Sequence, residues 1–215
     1  MIWSWKRESP QLLILVAMFV AGALRLPTAP ERMPLHWNLA GEVDRYGGKL
    51  EGLFLLPLIA LLLYGLLLVL PRLDPHRDNY ASFAGAYQLL RLVLLLFMGL
   101  IYGALLWGGA PMPNVVGLLV GALLLVVGLV MPRLGMNWFA GIRTPWTLSS
   151  KLSWEKTHRL GGRLFVLAGL LMMVGSQLAG PWLWRLMAPT LAVAVVAPVL
   201  YSYWVWRGDP ERAGR

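Results

Sequence analysis

The chain has 215 residues, 58% of them hydrophobic and 13% charged, with a formal net charge of +9 and no cysteine. A soluble domain of this length carries about 25% charged residues, so an ordinary soluble fold is excluded, and the lack of cysteine excludes disulfides, thiol catalysis and Cys-ligated metals. The apolar residues fall in six blocks, each near the roughly 20 helical residues that cross a hydrocarbon core of about 30 Å. The expected fold is therefore all-α, a polytopic transmembrane helical bundle of six spans.

The first block, Gln11–Leu26, follows Lys6 and Arg7. No small-x-small cleavage site leads into a soluble domain, so the block reads as a retained anchor. A patterned loop comes next, "PTAPERMPLHWNLAGEVDRYGGKLEG" at 27–52. Pro34 cannot continue a helix and biases Met33 toward an extended conformation. His36, Trp37 and Asn38 set an imidazole, an interfacial aromatic and an amide in consecutive positions, while Gly41, Asp44 and Gly47-Gly48 are turn residues. Three readings stand side by side. A recognition surface would use His36, Trp37, Asn38, Gly41, Asp44 and Lys49. A structured cap would seat Trp37 among headgroups. A metal site would group His36 with Glu42 and Asp44, although one His and two carboxylates are a weak zinc signal.

Spans two, three and four occupy Leu53–Leu70, Ala86–Trp107 and Val115–Met131. Gly99/Gly103 and Gly117/Gly121 are small-xxx-small pairs, which let helix backbones approach closely in lipid. They predict a tight antiparallel hairpin of spans three and four, joined by the turn "GGAPMPN". "LVLPRLDP" after span two and "LVMPRLGM" after span four echo each other, either as a duplicated hairpin or as two uses of the same helix stop. No Asp or Glu lies deep within a span, and Arg25, Arg91 and Arg163 fall near span ends, where they are expected to snorkel. That pattern counts against proton-coupled transport and intramembrane hydrolysis, which need ionisable groups at depth.

The second patterned loop is "PRLGMNWFAGIRTPWTLSSKLSWEKTHRLGGR" at 132–163. Gly141 relieves the backbone, Thr144-Pro145 breaks any helix begun at Asn137, and Ser149 or Ser150 can cap a new one. Lys151 with Glu155 and Glu155 with Arg159 are i,i+4 pairs, and Trp154 and His158 share a face with Phe165 beyond them. A short amphipathic helix is expected, running into span five at Gly161-Gly162. In one reading Arg143, Lys151, Lys156, Arg159 and Arg163 meet anionic headgroups, with Trp138, Trp146 and Trp154 at the interface. In the other, Asn137, Gly141, Arg143, Thr144, Pro145, Trp146, Thr147, Trp154, Thr157, His158 and Arg159 form a pocket or docking surface for a partner. Glu155 and His158 could pair as acid and base, but no nucleophile or metal set accompanies them; neither catalysis nor a cofactor is implied.

Span five, Leu164–Leu178, is short, and span six, Leu186–Trp206, contains Pro189 and Pro198. A turn, "AGPW", separates them. With the N-terminus in the cytoplasm, Lys and Arg concentrate in the tail, second loop, fourth loop and C-terminus, leaving Arg25, Arg32, Arg45, Lys49 and Arg185 on the other side. This bias places both termini inside. It also accounts for the basic charge without nucleic acid. The chain divides into a two-span region with the His-Trp-Asn loop, 1–70, and a four-span region with the cytoplasmic loop, 71–215.

The segment "RLGMNWFAGIRTPWTLSSKLSWEKTHRLGGR" resembles the signature loop of the SdpI family of bacterial membrane proteins. "LPTAPERMPLHWNLAGEVDRYGGK" resembles the His-Trp-Asn element of the same family, so the resemblance covers about Leu26 to Arg163. It implies a plasma-membrane immunity protein facing an extracellular peptide toxin, with a cytoplasmic transcriptional repressor on its inner side; membrane lipids as partners and no direct nucleic-acid contact are expected from the charge pattern itself. A lipid or peptide transporter or flippase is the alternative, and it predicts flux.

Overall fold

Apolar runs and their Pro and Gly breaks shape the described residues into seven helices and one hairpin. In this computed structural model the described residues are 5–38, 41–107, 111–178 and 182–212, without the side chains of Lys6 and of 182–186. Parts of the turns read at 108–114 and 179–182 fall outside them, as do the side chains of Lys6 and Arg185 and the whole of Arg215 from the charge count.

Helix α1 (Trp5–Arg25) leads into strands β1 (Arg32–Trp37) and β2 (Val43–Gly48), then α2 (Lys49–Leu73). A 3-10 turn (Arg77–Ala81) precedes α3 (Ala84–Trp107), and α4 (Met112–Val130) runs into another at Met131–Arg133. The one-turn α5 (Pro145–Leu148), α6 (Lys151–Gly175) and α7 (Trp182–Arg207) complete the chain. All the helices except α5 are long and apolar enough to cross a membrane. Their outer faces carry exposed Leu62, Leu66, Val174 and Leu200, a surface that suits lipid tails and would not suit water. The chain is a multi-pass membrane protein.

Two differences from the all-helical expectation are local. The first loop is not irregular: β1 and β2 pair antiparallel, with register shifts around His36. The second difference is that span five is not short. Ser150 caps it by accepting from the Ser153 amide, and α6 runs unbroken through Gly161-Gly162 for 25 residues. The expected amphipathic helix is the first part of this span.

Helices α1, α2 and α3 share a core built on Leu15, Met18, Leu53, Ala60 and Leu95. Tyrosines staple it, with Tyr102 donating to the Leu53 carbonyl at 2.6 Å and Tyr87 to the Leu67 carbonyl at 2.7 Å. The glycine expectation needs correction. A Cβ on Gly103 would meet nothing within 4 Å, and one on Gly99 would meet Ile14 of α1. The close seam instead joins α4 to α6, where Gly121 abuts the Gly169 backbone and Gly128 abuts that of Gly162, so that any Cβ would strike a carbonyl. Seven residues separate the glycines on each helix, which keeps both pairs on one antiparallel line. Without a hydrophobic drive between helices in lipid, this close packing is what holds them.

The snorkelling expected of Arg91 is also overturned. Its side chain is only 1% exposed, and its guanidinium forks onto the 3%-exposed carboxylate of Glu8 in α1. Tyr64 of α2 donates to the same carboxylate at 3.0 Å, and its ring lies 5.5 Å from the Arg91 guanidinium carbon. One ionic contact therefore links three helices. Sequence spacing hid it, because the partners lie 83 positions apart.

Candidate functional sites at the two ends of the bundle

The hairpin occupies the end of the bundle where α1 finishes and α2 begins. His36 Nδ1 lies 2.6 Å from Asp44 Oδ1, with both side chains substantially exposed. Asn38 and Glu42 close the turn reciprocally, the Asn38 amide donating to the Glu42 carboxylate and the Glu42 backbone N–H to Asn38 Oδ1, both at 3.0 Å. The Gly41 N–H donates to the Asn38 carbonyl. Lys49 pairs with Glu31 at 3.0 Å and Arg45 with Glu51 at 2.8 Å, so the ends of the hairpin are strutted to one another and to α2. Trp37 is half-buried and Tyr46 exposed. His36, Asn38, Gly41 and Asp44 thus form one polar face. Among the described residues no three His, Asp or Glu side chains gather into a metal-sized group; His36 and Asp44 come together, while Glu42 faces Asn38.

The opposite end holds the second patterned loop, and here most of the expected surface turns inward. Asn137, Thr147 and Thr157 are fully buried, with Trp154, His158 and Thr144 nearly so. Asn137 organises the first bend. Its Oδ1 accepts from the Phe139 and Ala140 amides, and its Nδ2 donates to the Gly135 and Ala140 carbonyls. Gly141 follows at φ +110, and a Cβ there would also overlap His158 Nε2. Only glycine meets both demands.

That histidine is locked by the backbone. The Ile142 N–H donates to Nε2 at 3.0 Å, so Nδ1 must carry the proton and donate to the Trp154 carbonyl at 2.7 Å. The ring is a neutral strut. It stacks on Trp154 at 4.0 Å, whose indole donates to the Leu134 carbonyl. Glu155 is exposed, and with both His158 nitrogens engaged by backbone an acid–base pair does not form.

Thr144 caps α5 in a reciprocal capping box with Thr147, the device that satisfies two orphan amides at once. The Thr144 hydroxyl also lies 3.0 Å from that of Ser202 in α7, and Ser153 donates to the Ser202 carbonyl. Ser150 donates to Asp209 just past α7. Asp74, after α2, reaches the loop as well, accepting from the Tyr80 hydroxyl and the Trp138 amide, both at 2.9 Å. Burial first, then this bond, pushes the Tyr80 phenol far above its ordinary value. Glu8, Asp74, Arg91, Ser202 and Asp209 are the residues that sequence reasoning missed; only Asp74-Pro75 and Asp209-Pro210 carried a turn signal.

Exposed at this end are Gly141, Arg143, Pro145 and Arg159, with Trp146 half-buried. Arg143 donates to the Trp138 carbonyl at 2.8 Å. The expected ion pairs of Glu155 with Lys151 and Arg159 do not close among the described residues.

The six spans, the hairpin and the inward-folded loop define a helical membrane protein with two specialised ends. Residues 133–202 match the SdpI/YfhL protein family, and residues 13–61 match a domain of unknown function, DUF1648. The resemblance to the SdpI family read from the two loops is thus borne out. The chain is similar to the Immunity protein SdpI of Bacillus subtilis (strain 168), with 23% identity over 198 residues, covering 92% of this chain and 95% of that protein. No solved structure matches it.

Proposed function

We propose that this chain is a membrane immunity protein, one that meets a secreted, membrane-active killing peptide at its hairpin and neutralises it without covalent chemistry. The observation that carries the reading is the similarity to Immunity protein SdpI along nearly the whole of both chains. The hairpin suits the task because the polar face of His36, Asn38, Gly41 and Asp44 is rigidly strutted yet open. Orientation agrees with it. Arg72, Arg77, Arg133, Arg143, Lys151, Lys156, Arg159, Arg207 and Arg212 lie toward the loop end, against Arg25, Arg32, Arg45 and Lys49 at the hairpin end, a bias that supports an orientation with the loop and both termini in the cytoplasm. The chain then divides at about residue 70 into a peptide-facing region and a region bearing the cytoplasmic loop. A soluble transcriptional repressor would dock on the exposed Arg143, Pro145 and Arg159.

The test is protection. Expressed in a sensitive Gram-positive cell without its own immunity gene, the wild type is expected to hold the membrane potential when the peptide is added. His36→Ala, expressed to the same level, is expected to fail. Equal collapse with wild type and empty vector would rule out immunity to that peptide.

A further inference from the structure

Two concavities meet where α4 ends and α6 begins, beside the second patterned loop. One, about 560 Å³, lies among Arg133, Lys151, Trp154, Glu155 and Arg159. The other, about 450 Å³, follows Gly128, Leu129, Gly162 and Val166. Pro132 and Arg159 line both, so they adjoin as one groove, cationic at one end and apolar at the other. The polar end sets three cations against the single carboxylate of Glu155, and Arg163 stands beside the apolar stretch. None of these four cations is ion-paired among the described residues.

The groove also has the right depth. Both walls belong to helices that cross the membrane, and Lys151 to Val166 spans about 22 Å at 1.5 Å per residue, enough to run from headgroup level into the tails of one leaflet. The furrow runs beside the seam, where Gly128 and Gly162 bring the α4 and α6 backbones together between Leu129 and Val166. We propose that the groove is a binding site for an anionic phospholipid, its phosphate held by Arg133, Lys151 and Arg159 and one acyl chain laid along Leu129 and Val166. Guanidinium groups match phosphate oxygens bidentately, and an acyl chain needs only an apolar wall. This assignment is independent of the immunity reading.

Diffuse attraction of a basic surface to anionic lipid makes a different prediction, since it treats all exposed cations alike. The full chain in detergent would be titrated with phosphatidylglycerol, or with phosphatidylcholine of the same acyl chains, and bound lipid counted by native mass spectrometry. Wild type is expected to prefer phosphatidylglycerol roughly tenfold, and Arg133→Gln/Arg159→Gln to lose that preference, since each cation near a headgroup is worth about a fivefold change. The charge-matched Lys156→Gln/Arg207→Gln, outside the groove, is expected to change it less than about twofold. Leu129→Trp, which fills the furrow and alters no charge, is expected to weaken phosphatidylglycerol binding, and it keeps the test decisive should the double arginine variant prove unstable. Equal loss in both double variants, no preference in wild type, or unchanged binding in Leu129→Trp would overturn the proposal. So would displacement of the lipid by glycerol 3-phosphate alone, which would mark a site for soluble anions.

Discussion

The two ends of this molecule use polar residues in opposite ways. At the hairpin, His36 and Asp44 meet with side-chain exposures of 66% and 43%; at the loop end, Arg91 and Glu8 meet with 1% and 3%. Apart from Ser176, the buried polar and charged side chains of the described residues all lie toward the loop end. An exposed ion pair contributes about 0–1 kcal/mol, whereas removing one partner of a buried pair costs about 3–5 kcal/mol. Motifs that look equally functional in sequence therefore separate. The hairpin can change partners at little structural cost, and the loop cannot.

That contrast can be broken experimentally, beginning where the effect is largest. Arg91→Met strands the Glu8 carboxylate among α1, α2 and α3 and is expected to destabilise the protein by about 3–5 kcal/mol. Adding Glu8→Gln should recover part of that loss, measured by unfolding in detergent. An uncoupled pair of effects would remove the ion pair from the account. Asn137→Ala comes next. It leaves two part-buried amides and two carbonyls short of partners, at about 1–3 kcal/mol, and faster proteolysis within 133–150 would report it.

Asp209 supplies a pH-dependent case. The Ser150 hydroxyl, then the Glu211 amide and the Arg212 charge, hold its carboxyl below the ordinary value, against the opposing push of burial. Because the folded value is depressed, its stabilisation is complete above the ordinary carboxylate value near 3.9 and is lost as pH falls through the depressed one. Wild type should lose thermal stability on acidification in that range, and Asp209→Asn should lose less; parallel curves would count against the Ser150 contact. The smallest effect belongs to the hairpin. His36→Ala should shift stability by less than about 1 kcal/mol, so an unfolded His36→Ala would mean that the two ends are more alike than their exposures imply.

Much of the architecture was legible in the sequence because it follows from local pattern. Six apolar blocks became six spans, and the Ser150 cap fell where local chemistry puts it, whereas Thr144-Pro145, read as the break of a helix begun at Asn137, instead starts α5. Trp154 and His158 share a helix face and do stack. What escaped depends on contacts distant in sequence. Arg91 near a span end reads as a snorkelling cation until α1 delivers Glu8 to it. Gly117/Gly121 fits any neighbour, and only the packing of α6 selects the partner. Pro34 already biased Met33 toward an extended conformation, but the hairpin was obscured because Asp44 and the Gly47-Gly48 pair argue for turns, although the outer edge of a two-stranded ribbon tolerates glycine and proline. The patterned second loop suggested a surface because Arg, Thr and Trp so often lie on one, yet Thr144, Thr147 and Trp154 are satisfied internally.

The contacts from Thr144, Ser150 and Ser153 to Ser202 and Asp209 carry a consequence for biosynthesis. The partners are 49 to 59 residues apart. At about 5–20 residues per second of translation, the loop waits about 3–12 s on the ribosome before α7 arrives to complete it. The signature loop is thus among the last parts of the protein to set. Fusions truncated ahead of residue 202 would display a loop that never reached its native shape, and only reporters placed in the full-length chain would read it faithfully.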